Sequence, residues 1–354
     1  MNNKVILAFS GGLDTSYCAV WLSKVKGLEV HAVTVNTGGF SDSEILEIER
    51  HALALGCKSF HHINEVEHYY DSVVKYLIYG NILKNSTYPL SVSAERIAQA
   101  AAIARYAKEQ GINKIAHGST GAGNDQVRFD MIFSIIQPEA EIITPIRDMK
   151  LARSEEIDFL KANGVSMNFE KATYSINKGL WGTSIGGKET LTSNLPLPEE
   201  AWATPITKSG EEVVELEFVK GELHSINGEK FKHPSLAIQY LQSIAQPFGI
   251  GRDIHVGDTI IGIKGRVGFE AAAPGIIIKA HHLLEKHILT KWQLYWKDQL
   301  SVWYGNSLHE GQYLDPTMRN IEKFLEDTQR HVSGKVIVRM MQHRFVLEGI
   351  ESPN

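Results

Sequence analysis

The run Ser10-Gly11-Gly12-Leu13-Asp14-Thr15-Ser16 sets two adjacent glycines, three hydroxyls and one carboxylate within seven residues. Such a run suits anion binding. Backbone N–H groups at a helix start have no partner inside the helix and lie at the positive end of its dipole, so a phosphate satisfies both. Gly11 and Gly12 let the main chain approach closely, and Ser10, Thr15 and Ser16 add hydroxyl donors. Asp14 would repel a bare phosphate and is better explained as a helix cap or a magnesium contact. The run is therefore expected to hold a magnesium nucleotide. Neither the P-loop spacing GxxxxGK[ST] nor the GxGxxG dinucleotide fingerprint is present, which disfavours an ordinary kinase or dehydrogenase.

A second run, HGSTGAGNDQVRFD over residues 117–130, carries little apolar content, so burial does not explain it. Asn124, Asp125, Gln126 and Arg128 put amides, an anion and a guanidinium within five residues. That set suits a ligand with the charges of an amino acid. A solvated glycine loop is the plainer alternative.

Both runs need rigid elements to aim them. KVILAF reads as a strand leading into the first run, and NKIAHG as a strand leading into the second. After the first run, Cys18, Trp21, Leu22 and Val25 make one buried helical stripe that Gly27 can end. LEVHAVTV and KSFHHI read as further strands. Ser41 with Glu44 has capping-box spacing, opening a stripe of Ile45, Ile48, Ala52 and Leu55 that runs to Gly56. Ser93 to Gln110 is an alanine-rich helix closed by Gly111. Repeated strand–helix units predict a parallel sheet up to about Pro145. The alternation fades from Asn163 to Tyr174, and residues 182–210, rich in Gly, Ser, Thr and Pro, read as an interdomain crossing. Beyond them, EVVELEFVKG and KVIVRMMQHRFVLEG have strand periodicity, with helices at Ser235–Ser243 and Pro316–Thr328. The expectation is an α/β fold, with a parallel-sheet nucleotide-binding domain at residues 1–165 and an α+β domain at 166–354.

Composition narrows the classes. At 354 residues two domains are expected. Hydrophobic residues are 43% and charged residues 22%, and no apolar run approaches the roughly 20 residues of a membrane span. With no signal-peptide pattern at the N-terminus, a cytoplasmic protein that makes no membrane contact is expected. Cys18 and Cys57 lack disulfide or CxxC spacing and read as buried small residues. A net charge of -5 leaves no basic field for nucleic acid, which is not an expected partner. His61-His62 and His281-His282 are weak metal candidates and are left unassigned; neighbours on a strand point to opposite faces, so His61 and His62 are poorly placed to share a metal.

The motif SGGLDTS resembles the loop of pyrophosphatase-type ATP enzymes, which hold the departing pyrophosphate while AMP is transferred. With HGSTGAGNDQVRFD, YSINKGLWGTS, IIGIKGRVGFEAAAPG and LEGIESP, it resembles the argininosuccinate synthase family over nearly the whole chain. The resemblance implies an adenine nucleotide alpha hydrolase-like first domain followed by a synthetase domain. The implied reaction is ATP-dependent ligation of citrulline and aspartate through a citrulline-adenylate, in arginine biosynthesis. By resemblance, Ala8, Phe9, Ser10, Gly11, Gly12, Leu13, Asp14, Thr15, Ser16, Val35 and Gly118 meet ATP, which carries Mg2+. Thr120, Asn124 and Asp125 match aspartate-binding positions, with Asp125 suited to the α-ammonium. Tyr88, Ser93, Asn124, Arg128, Ser175 and Ser184 match citrulline positions; Asp14, Asp125 and Arg128 are the expected catalytic groups. Taken singly, Tyr88 also reads as a surface aromatic and Ser93 as a helix N-cap.

The chain departs from the family pattern in places. Ala122 stands where the family has lysine. Ser175-Ile176-Asn177-Lys178-Gly179-Leu180 replaces an SxDENL pattern, and Gly186 replaces an acid near Ser184. The glutamate expected at the citrulline amino group aligns with Gly257, one place before Asp258, and the usual tyrosine with Phe269. Two readings stand: an N-acylated citrulline, such as N-succinylcitrulline, met by Lys178 or Lys188, or free citrulline with Asp258 taking over. The chain is expected to lack the family's C-terminal arm past LEGIESP, while a homo-oligomer stays implied. A tRNA-modifying enzyme of the same ATP-loop superfamily and a nucleotide sensor without catalysis are the rival functions.

Overall fold

The computed structural model describes residues 3–121, 123–167, 174–187, 190 and 192–354. Ala122 and Lys188 lie outside the described residues. The chain forms two compact units, and neither is continuous in sequence. The first joins Met1–Glu65, Arg96–Tyr174 and Thr259–Ile263, and the second joins Val66–Glu95, Ser175–Asp258 and Lys264–Asn354.

The first unit holds a five-stranded sheet in the order β3-β2-β1-β4-β5. Its strands are β1 (Lys4–Ala8), β2 (Glu29–Asn36), β3 (Ser59–Asn64), β4 (Lys114–Ala116) and β5 (Glu141–Ile143). Every pairing is parallel. In such a sheet both faces are covered, and the strands read as apolar runs. Val5 and Leu7 accordingly pack with Cys18, Leu22, Val30 and Ala32 in one core. The strand order reverses between β1 and β4, and ligands of open parallel sheets bind in the crevice beyond the carboxyl ends at such a reversal. Both chemistry-bearing runs start there.

Helix starts and stops follow the local chemistry. Ser41 and Glu44 make the expected capping box on Asp42–Ala54, and Gly27, Gly56 and Gly111 all take positive φ after helices. One stripe is shorter than expected. Cys18 and Leu22 are buried, but Val25 is 58% exposed. The helix Leu13–Val20 continues as a π-turn over Trp21–Val25, whose wider winding carries Val25 off the buried side.

The second unit holds two sheets. One runs β10-β9-β8-β13-β14 and the other β11-β12-β7-β6. The strands are β6 (Tyr174–Gly179), β7 (Gly182–Gly187), β8 (Glu212–Val219), β9 (Glu222–Ile226), β10 (Glu229–Lys230), β11 (Arg252–Asp258), β12 (Lys264–Glu270), β13 (Gly334–Met341) and β14 (Arg344–Glu351). The helix Ala272–Ile288 buries Ile276, Ile277, Ala280 and Leu284. The expected crossing at 182–210 is corrected at its start, because 182–187 is the inner strand β7. Its small residues answer close packing: Gly182 has φ +115°, and a Cβ there would stand 3.0 Å from the Glu270 carbonyl oxygen.

Cys18 and Cys57 are both buried thiols, as expected. No group of three or more His, Cys, Asp or Glu among the described residues could hold a metal ion. No helix among them is long and apolar enough to cross a membrane.

Candidate active site

The apolar β1 fixes the position of the first loop. Phe9 N–H donates to Val33 O at 2.9 Å, and Thr34 Oγ1 donates to Phe9 O at 2.6 Å. Gly11 then turns with φ +77°, where a Cβ would also meet Ile48 Cγ1 at 3.3 Å. Gly12 is the N-cap, and it supplies no side-chain cap to the helix. The cap role expected of Asp14 is thus corrected: Asp14 lies in the first turn, and its carboxyl is hydrogen-bonded to Glu156. Glu156 is 1% exposed. Burial first, then the charge and hydrogen bond of Asp14, push its carboxyl up to about 8.

The loop's own bonds are long. Ser10 N–H donates to Thr15 Oγ1 at 3.4 Å, Gly12 N–H to Ser10 Oγ at 3.4 Å, and Thr15 Oγ1 to Gly12 O at 3.2 Å. Phosphate oxygens would exchange them for shorter, charge-assisted bonds. Ser16 differs. It is fully buried, and its Oγ donates to Gly12 O at 2.8 Å. With that proton in use, the 2.8 Å contact with His51 Nε2 has His51 as donor. Burial lowers the His51 pKa, in keeping with a neutral ring. Ser10 and Thr15 are therefore the hydroxyls at the loop surface, and Ser16 is an inner brace. Ala8 ends β1 half-buried, while Leu13 and Val35 are buried.

The second loop comes against the first. A Cβ on Gly118 would stand 3.1 Å from the Asp14 carbonyl carbon and 3.2 Å from Asp14 Cβ, so glycine lets the two loops pack this closely. Thr120 is exposed. Asn124 Oδ1 accepts the Ile260 N–H at 2.7 Å, which leaves the amide's N–H donors as what Asn124 offers a ligand. Asp125 opens the helix Asp125–Ile136 between two guanidiniums. Arg96 Nε reaches its Oδ2 at 3.0 Å and Arg128 Nη1 its Oδ1 at 2.9 Å. Burial would raise this carboxyl, but Arg96 and Arg128 outweigh it and hold it below its ordinary value. A carboxylate has about four lone-pair sites, so this clamp still admits an ammonium.

The remaining expected residues belong to the second unit. Tyr88 is buried, with its ring 5.4 Å from both His255 and Phe269, so the surface-aromatic reading is corrected. Ser93 is no N-cap either: the helix Ser91–Glu109 begins two residues earlier, and the buried Ser93 Oγ meets His309 Nδ1 at 3.0 Å. Ser184 is buried on β7 opposite Phe269 of β12. Ser175 and Lys178 are exposed on β6. Gly257 faces the ring of His255, whose Nε2 stands 2.6 Å from where a Gly257 Cβ would be. Asp258 is exposed and paired with Lys264 at 2.7 Å.

Several residues of these surroundings carried no sequence signal. Arg96, His51, Glu156 and His255 stand far in sequence from the residues they touch, and only pairing and burial bring them in. Glu95 is another: it is buried, with Oε2 2.6 Å from the position of a Gly179 Cβ.

Two family models match the chain: the arginosuccinate synthase N-terminal HUP domain over residues 4–166, and the arginosuccinate synthase C-terminal domain over residues 174–354. The chain belongs to the argininosuccinate synthase family. Its relatives include an argininosuccinate synthase of Methanocaldococcus jannaschii, 36% identical over 100% of this chain and 89% of the relative. Another from Dehalococcoides mccartyi is 35% identical over 100% of this chain and 87% of the relative. A third, from Pyrococcus furiosus, is 35% identical over 99% and 85%. The HUP-domain match spans all five strands of the first unit's parallel sheet.

Proposed function

We propose that the chain joins citrulline to aspartate at the expense of ATP, releasing AMP and pyrophosphate. The carrying observation is the meeting of the two loops, with Gly118 against Asp14 at the carboxyl ends of adjacent strands. A ureido oxygen is a poor leaving group. Transferring AMP onto it makes it a good one, and the aspartate amine then displaces AMP at the ureido carbon. Gly11 to Thr15 grip the phosphates through helix N–H groups and the hydroxyls of Ser10 and Thr15. Thr120, Asn124 and Asp125 hold the aspartate, with Asp125 toward its ammonium. Arg128, Tyr88, Ser93, Ser175 and Ser184 serve the citrulline.

A magnesium ion would come with the phosphates, because Mg2+ typically keeps one or two carboxylates plus substrate oxygens as ligands. Asp14 is the loop carboxylate that fits this role, and the ion would spread the charge developing at the α-phosphate. Holding the reactants in line supplies about 7–11 kcal/mol where geometry is near-ideal. The test is pyrophosphate release measured with ATP, citrulline and aspartate, omitting each in turn. Release that needs aspartate and a citrulline-type substrate supports the ligase; dependence on RNA supports the tRNA-modifying rival, and no release supports the sensor.

A second reading concerns the amino end of citrulline. The room at Gly257 is taken by the His255 imidazole, Asp258 is paired with Lys264, and Phe269 carries no hydroxyl. These features favour a substrate whose amino group is acylated and uncharged over one presenting an ammonium there. Glu95, buried beside Gly179, is an acid of the same unit that free citrulline would call on. Comparing kcat/KM for citrulline, N-acetylcitrulline and N-succinylcitrulline separates the two, and a clear preference for free citrulline that Glu95→Gln abolishes would sink the acyl reading.

A further inference from the structure

The second loop is closed into a ring by side chains outside the substrate contacts above. His117 is 1% exposed and its Nδ1 accepts the Ser119 N–H at 3.2 Å, so its proton is on Nε2. Nε2 donates to Asp130 Oδ1 at 2.9 Å. Asp130 Oδ2 takes Arg147 Nη1 at 2.5 Å, and the same nitrogen reaches Gln126 Oε1 at 3.3 Å. Gln126 Nε2 completes the circuit, donating to the carbonyls of Gly121 at 2.5 Å and Gly123 at 3.3 Å. The loop's entrance, its middle and the start of its helix are thereby tied to one guanidinium.

Two features set this ring apart from core packing. Arg147 and Asp130 keep side-chain exposures of 28% and 32%, where an ion pair adds little to global stability. Arg147 Nε also lies 3.6 Å from Asp148 Oδ1. With two carboxylates on it, the guanidinium is no spare cation for a phosphate. What it does constrain is a stretch with glycines at 118, 121 and 123, the residue type that loses most conformational freedom on ordering.

We infer that Arg147 is a positioning residue, which with Asp130 and Gln126 locks the glycine loop in the shape that presents Thr120, Asn124 and Asp125. A loop fixed before substrate arrives spares binding that ordering. The inference rests on the aspartate role proposed above, and its test separates the two. Amide hydrogen exchange over residues 118–124 and steady-state kinetics are measured for wild type, Arg147→Met and Arg147→Lys. In Arg147→Met, exchange over 118–124 should speed up while the middle of the helix Asp125–Ile136 keeps its protection. The KM for aspartate should rise about ten- to a hundredfold, the loss of one charge-assisted bond, with kcat changed far less. Arg147→Lys keeps the charge but cannot span Asp130 and Gln126 together, so it should fall between the two.

Unchanged exchange in Arg147→Met overturns the clamp. Faster exchange with unchanged kinetics overturns its positioning role. Faster exchange in an enzyme whose wild type shows no aspartate-dependent pyrophosphate release leaves the clamp standing and overturns the proposed reaction instead.

Discussion

Two carboxyls that share a hydrogen bond need a proton between them, and Asp14 and Glu156 are such a pair at the first turn of the loop helix. Glu156 holds its proton up to about pH 8 in the fold, whereas an unfolded glutamate releases it near 4.3. Between those values the folded chain binds a proton that the unfolded chain does not, so stability falls as pH rises through the window. Glu156→Gln keeps a donor for Asp14 and removes the titration. It should stabilise the protein by about 1–3 kcal/mol at pH 7, with the gain vanishing toward pH 4 in urea melts. An equal gain at both pH values would show that charge is not the cause. Asp125 has the opposite sign: its lowered pKa contributes stability above the ordinary carboxylate range, lost as pH falls through the folded value.

Loops and strands carry the next layer of consequence. A side chain at Gly118 would crowd the Asp14 backbone. Gly118→Ala should push the two loops apart, raising the KM for ATP about tenfold with a small change in melting temperature, since the strands beneath are untouched. Isothermal titration with a non-hydrolysable ATP analogue checks it, and unchanged affinity would count against the contact. Elements of this kind were readable in the sequence where a local rule governs them. Ser41 and Glu44 announce a helix start, and KVILAF announces a buried strand, because neighbours in the chain decide both. β7 was not readable: its glycines and hydroxyls look like a linker, and only its pairing with β12 makes them close-packed.

Across the molecule, long-range burial decides what composition hides. Lys297, one of two lysines in KWQLYWKDQ, is fully buried. Its Nζ reaches Glu285 Oε2 at 2.9 Å and donates to Tyr79 O at 3.1 Å. Asn81 and Gln329 also donate to Glu285, and His281 meets both of them. Removing one partner strands the other's charge, so Lys297→Met should cost about 3–5 kcal/mol in urea unfolding, and a loss below about 1 kcal/mol would mean water reaches Glu285. The site residues divided in the same way. The glycine and hydroxyl runs were legible because they lie together in the chain, whereas Arg96, Glu156 and His255 each reach their own partners only through the fold.

The Ile260 N–H that holds Asn124 comes from a short segment, Thr259–Ile263, which belongs to the first unit although most of the second precedes it. Chains made on a ribosome emerge N-terminus first, and early domains generally fold as they appear. Here the parallel sheet can form early, but the Asn124 amide lacks its bond from Ile260 until residue 260 has been made. A ribosome-bound fragment ending before Thr259 would thus carry the sheet while leaving the orientation of the Asn124 amide undecided, tying the completion of this loop to translation of the chain's later half.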